Sequence, residues 1–75
     1  MVRCRLSRLM GDKKVKVIDV ARETGISRNH LSALYYERAK RIDLNTIDAL
    51  CKFFDCNVGD LLEVTNEESL NEDQL

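Results

Sequence analysis

One spacing constrains this chain more than any other: Ala21, then Gly25-Ile26-Ser27, then Leu31, with three residues between each pair of outer anchors. A bare methyl at 21 lets a second helix cross close by. Gly25 can take the positive φ that ends a helix, because it has no Cβ to clash. Ile26 fills the space beneath the turn. Ser27 restarts the chain as an N-cap, its hydroxyl placed to accept from the amide of Asn29 or His30. Leu31 anchors the second helix. These duties fit together in two helices joined by a tight turn, a helix-turn-helix.

The rest of the chain must be read around that unit. Seventy-five residues leave room for one small core and no second module. With 44% hydrophobic residues, no proline and only 5% aromatics, the composition favours helices over sheets. Leu6, Leu9 and Met10 share one helical face, and Gly11-Asp12-Lys13 breaks that first pattern. Val17, Val20, Ala21 and Thr24 continue it after a connection over 13–16, giving a second helix that ends at Gly25. Leu31, Leu34 and Tyr35 give the buried stripe of a third, which fades near Tyr36. Asn45 is the expected cap of a fourth helix, in which Ile47, Leu50, Cys51 and Phe54 repeat at i, i+3, i+4, i+7. Asn57 is expected to cap a short fifth helix carrying Val58, Leu61 and Leu62 as a lid on the core. Val2-Arg3-Cys4 and Glu63-Val64 are too short to assign as strands, though their extended propensity leaves room for a small edge pairing. Residues 65–75 carry four acids and only Leu70 and Leu75 as apolar groups, too little to offset the entropy of ordering, so an acidic, unstructured tail is expected after a domain over 1–64.

The net charge of −1 conceals a strong asymmetry. Residues 1–41 hold eleven Lys/Arg against four acids, a net of +7, whereas 42–75 hold Lys52 alone against nine acids, a net of −8. A positive field confined to one half is the arrangement wanted where a polyanion docks. Apolar stretches are only a few residues long, far short of the roughly 20 a membrane span needs, and no export signal is visible. The three cysteines, Cys4, Cys51 and Cys56, are odd in number and form no C-x-x-C pair, so neither a zinc nor a redox site is expected. A reducing cytoplasm suits them, with Cys51 a small hydrophobe in the core.

Gly25-Ile26-Ser27, Leu31-Ser32-Ala33-Leu34-Tyr35, Ala39-Lys40-Arg41-Ile42 and Val58-Gly59-Asp60-Leu61-Leu62 follow one another in an order that resembles the lambda-repressor-like (Cro/repressor, XRE-type) DNA-binding domains. The resemblance covers about residues 4–64. It implies an all-α fold, a compact five-helix domain with the helix-turn-helix formed by helices 2 and 3, acting on double-stranded operator DNA as a homodimer and regulating transcription in the manner of a repressor.

Placing the third helix at 100° per residue puts Arg28, Asn29, Ser32, Ala33 and Tyr36 on one side and 31, 34, 35 and 38 roughly opposite. Arg28, Asn29, Ser32 and Ala33 are the expected base readers: a guanidinium can fork onto guanine, an amide onto adenine, a hydroxyl onto several edges, and a methyl can touch thymine. Lys16, Ser27, Arg38, Lys40 and Arg41 are the expected phosphate contacts flanking them, with Lys14 and the first amides of the second helix also available. Three positions depart from the family pattern. Val17 stands where many relatives carry a phosphate-binding Gln, and Lys16 is the nearest substitute. Tyr36-Glu37 replaces an Asn-Gly turn, and since neither residue favours positive φ, a different loop or a longer helix is expected. Ala33 replaces an amide side chain that reads a base.

His30 has no Cys, Asp or Glu at a metal-binding spacing; a solvated or capping role fits it, or a DNA backbone contact. Tyr35 reads as packing, Phe53 and Phe54 as core or interface. One histidine, no paired inward carboxylates and no glycine-rich phosphate loop argue against an enzyme, and no cofactor is implied. The competing function is a protein-interaction module on the same fold, antitoxin-like or anti-repressor-like. Dimer contacts are expected on the fifth helix and 61–64, through Leu61, Leu62 and Val64.

Overall fold

The computed structural model describes residues 1–66, in which β1 (Val2–Cys4) is followed by α1 (Leu6–Lys13), α2 (Val17–Thr24), α3 (Arg28–Tyr35), α4 (Leu44–Phe54), α5 (Val58–Leu61) and β2 (Leu62–Val64). Residues 67–75, most of the segment expected to form an acidic tail, lie outside the described residues. Five helices appear as expected. The fold is mostly helical, with one small sheet at the edge where the sequence leaves room for a pairing: the two short extended ends pair antiparallel, with Val2 opposite Val64, Arg3 opposite Glu63 and Cys4 opposite Leu62. Backbone bonds extend this ladder on both sides, from the Arg5 amide to Leu61 O at 2.7 Å and from the Thr65 amide to Met1 O at 2.7 Å. An ion pair from Arg5 to Glu63 reinforces it. Three-residue strands have no readable period; only closure of the helical core brings them side by side.

The core is one cluster: Leu6 and Met10 of α1, Val20 of α2, Leu31 and Leu34 of α3, Leu50 and Phe54 of α4, and Leu61 of α5. Ala21 and Ile26 pack against it, as their positions around the turn require. Tyr35, Cys51 and Phe53 also pack there, half-buried. Burial pushes the Cys4 thiol up, and burial together with the neighbouring Cys51 thiol does the same to Cys56, so both are protonated at neutral pH. Among the described residues no helix is long and apolar enough to cross a membrane.

Two helix boundaries differ from expectation. Helix α1 runs through Gly11 to Lys13. Its last turn is closed by Lys14 at φ +57, with the Val15 amide reaching Met10 O at 3.1 Å and the Lys14 amide reaching Gly11 O at 3.2 Å. That closure satisfies the final carbonyls, and burial of Met10 holds the turn despite the glycine. Helix α4 is capped by Asp43 and not Asn45: the Asp43 carboxylate accepts the Thr46 amide at 2.7 Å. The bonds from Thr46 hold that carboxyl below its ordinary range, and a charged acceptor outcompetes the amide two residues on.

The same left-handed closure ends α4 at Asp55, φ +52, with the Cys56 amide on Cys51 O at 3.0 Å. An L-residue with a Cβ costs about 1–2 kcal/mol in this conformation. Asp55→Gly is therefore expected to raise stability, by roughly 1 kcal/mol once the entropy of the more flexible unfolded chain is subtracted; a urea midpoint at or below that of the parent would contradict the assignment.

Candidate nucleic-acid interface

The turn between α2 and α3 carries out each duty read from its sequence. Gly25 sits at φ +79 and its amide bonds Ala21 O at 2.9 Å. Ser27 caps α3, its hydroxyl accepting from the His30 amide at 3.1 Å. Thr24 contributes a brace that the periodic reading overlooked: its hydroxyl donates to Val20 O at 2.6 Å and accepts from the Ile26 amide at 3.2 Å. A Thr just before a Gly-capped turn is a readable signal for such local bonding. Together these bonds fix the angle at which α3 leaves α2, and hence the direction in which its exposed side chains project.

Those side chains border a groove of about 660 Å³. Arg28, Asn29 and Ser32 line it from α3, and Lys16 and Ile18 face them from the start of α2. Arg28 and Asn29 are exposed and Ser32 is half-buried. Ile18, 52% exposed, adds an apolar group among these polar ones; its position at the second residue of α2 was not singled out by periodicity because it faces away from the core stripe. Tyr35 and Tyr36 complete that side, with ring centroids 4.8 Å apart in an edge-on arrangement. Ala33 is half-buried and does not line the groove; its carbonyl instead receives the amides of Arg38 and Ala39 at 2.7 and 3.1 Å.

The phosphate candidates divide into groups. Lys16 is on the groove and Ser27 at the start of α3. The Lys16 amide is occupied by the Asp19 carboxylate at 3.0 Å, which removes one of the α2 amides expected to be open to an anion. Arg38, expected as a flanking phosphate contact although an unbroken helix would point it away from Arg28 and Asn29, follows a helix that ends at Tyr35, after which the chain reverses. Glu37 takes φ +58, so the turn has a left-handed residue although neither Tyr nor Glu favours that conformation. Arg38 consequently lies beside the reading side, its guanidinium 3.4 Å from the Ser32 hydroxyl and 5.2 Å from the Tyr36 ring centre. Lys40 and Arg41 border a second cleft of about 260 Å³, with Val2, Leu34 and Leu62. His30 lies at a third depression with Thr46 and near Asp43, bridging the starts of α3 and α4.

Ion pairing separates the cations. Arg3 pairs with Glu37, Arg5 with Glu63, Arg22 with Asp19 and Glu23, and Lys52 with Asp48. Lys16, Arg28, Arg38, Lys40 and Arg41 form no ion pair with another described residue, and neither do Arg8, Lys13 and Lys14 on and just after α1. Glu37, just past the end of α3, is held down to about 2 by the Arg3 guanidinium and the Cys4 amide, and its charge is matched by that bound cation. The surface around α3 thus offers uncompensated positive charge, hydrogen-bonding side chains and an apolar side chain, the mixture that phosphate and base-edge contacts require.

Comparison with known proteins agrees with that chemistry. The chain is 35% identical over 60 residues to the uncharacterized HTH-type transcriptional regulator YozG of Bacillus subtilis (strain 168), an alignment covering 80% of this chain and 71% of that protein. Residues 5–67 match the Cro/C1-type HTH DNA-binding domain. By its fold, the chemistry of its exposed third helix and this match over most of its length, the chain belongs to the Cro/C1-type helix-turn-helix DNA-binding family.

Proposed function

We propose that this protein is a transcriptional regulator that binds double-stranded DNA sequence-specifically, with α2 and α3 as the helix-turn-helix and α3 entering the major groove. The observation that carries this reading is that Lys16 and Arg38, with no acidic partner among the described residues, stand at the groove lined by the exposed Arg28 and Asn29. Arg28 and Asn29 read base edges, Ser32 assists, and Ala33 supplies a methyl contact at the margin. Lys16, Arg38, Lys40 and Arg41 meet phosphates. Ser27 joins them: with its oxygen accepting from His30, its hydroxyl hydrogen remains to donate to a phosphate oxygen. The DNA-binding unit spans 1–64.

A repressor of this kind works as a homodimer, because one helix spans only a few base pairs and symmetric half-sites supply the remaining affinity. Leu61, expected at the interface, is fully buried in the core. Val58 and Val64 remain exposed, and Val2 stands beside Val64 across the sheet, so these three form the apolar contact between copies.

Duplex titration over a range of salt tests the reading. Four phosphate-neutralising cations predict that log K falls against log salt with a slope of about −3 to −4 per protomer. Oligonucleotides selected from a random pool should contain inverted half-sites about one helical turn apart. A slope near zero, with no sequence enriched, would overturn the assignment.

A further inference from the structure

The end of α3 rests on an unexpected residue. Glu37 occupies the left-handed position that closes the helix, which glycine or asparagine fills at little cost. Its carboxylate is gripped from far away in sequence. Arg3 Nε donates to Oε1 at 2.8 Å, Arg3 Nη2 to Oε2 at 2.9 Å, and the Cys4 amide to Oε1 at 3.1 Å. All three donors belong to β1. A two-pronged guanidinium–carboxylate contact fixes the plane of the carboxylate as well as its distance.

The closure that Glu37 makes possible dictates where the next residue goes. Its own amide bonds Leu34 O at 3.2 Å, and the Arg38 amide bonds Ala33 O at 2.7 Å, folding Arg38 back over α3 toward Ser32 and Tyr36. A continuous series of contacts therefore runs from Arg3 through Glu37 and the turn to Arg38 and the Ser32 hydroxyl. The same pairing neutralises a carboxylate that would otherwise repel DNA beside the reading helix.

We propose that Arg3 and Glu37 form a latch by which the N-terminal strand sets the placement of Arg38 on the DNA-binding face, making both of them positioning residues for DNA binding. The latch rests on the reading of Arg38 as a phosphate contact. It touches no DNA itself and acts by holding the turn.

The test is a double-mutant cycle on the full chain, measuring affinity for the selected duplex and the melting temperature of R3M, E37G and the double variant, with R38A alongside. E37G keeps the turn without strain and without the carboxylate, so it is expected to stay folded and to bind at least as tightly as the parent. R3M is expected to weaken binding roughly threefold to tenfold in the parent, where the turn loses its hold, and to have no effect in E37G, where glycine holds the turn by itself, with the salt slope unchanged. E37G binding more weakly than the parent, R3M weakening binding as much in E37G as in the parent, or R3M lowering only the melting temperature, would overturn the latch. So would a salt slope made shallower by about one in R3M, since that marks Arg3 as a phosphate contact itself. A silent R38A overturns the underlying reading of Arg38, whereas a weakened R38A with silent R3M overturns the latch alone.

Discussion

Leu31→Ala is expected to abolish most of the folded population at ambient temperature in moderate urea. Leu31 is fully buried and stands where α3 meets the common core of Val20, Leu34 and Leu50. Truncating a leucine in such a position costs about 2–5 kcal/mol, the lost transfer energy plus the cavity left behind. A domain of this size has roughly 4–11 kcal/mol of stability in total. The midpoint in urea should fall steeply with little change in slope, and DNA binding should be lost with the fold. An unaltered midpoint would show that α3 is not anchored through this residue.

Arg28→Ala should leave the fold intact and act on recognition. The side chain is exposed at the first residue of α3, lines the groove and has no ion-pair partner among the described residues, so removing it leaves no buried charge uncompensated. Loss of a forked contact to guanine costs about 1–3 kcal/mol at one operator position and relaxes preference there. Arg41→Ala should weaken all duplexes alike and reduce the salt slope by about one, the behaviour of a phosphate contact. Measuring both variants on operators substituted one base pair at a time separates the two roles. If Arg28→Ala binds every operator as the parent does, the reading surface lies elsewhere.

The contrast between the two ends of α3 explains what could be read in advance. At its start, Gly25, Ser27 and Leu31 behaved as their spacing required, because a glycine cap and an N-cap hydroxyl act through partners three or four residues away and a leucine on the apolar stripe of a helix turns inward whichever distant residues it meets. At its end, Tyr36-Glu37 pointed to a different loop or a longer helix, yet Glu37 is left-handed because Arg3 and Cys4 reach it across thirty-odd positions of sequence. Continued helical phase would point Arg38 away from Ser32, and the reversal at Glu37 is what brings its guanidinium back to that hydroxyl. The Asp43 cap falls between these cases: the signal was local, but two neighbouring capping residues competed and the charged one prevailed.

By itself the sequence determined the five helices, the tight turn between the second and third, the core leucines and the concentration of positive charge in its first half, since each follows from interactions within a helical turn or from composition. Only the tertiary structure decided that the chain ends pair as a sheet, that Lys16 faces Arg28 across a groove while Lys40 and Arg41 border another cleft, and that Arg3 is tied to Glu37. Those outcomes depend on which distant surfaces meet once apolar side chains are removed from water, and no local pattern of residues encodes that meeting.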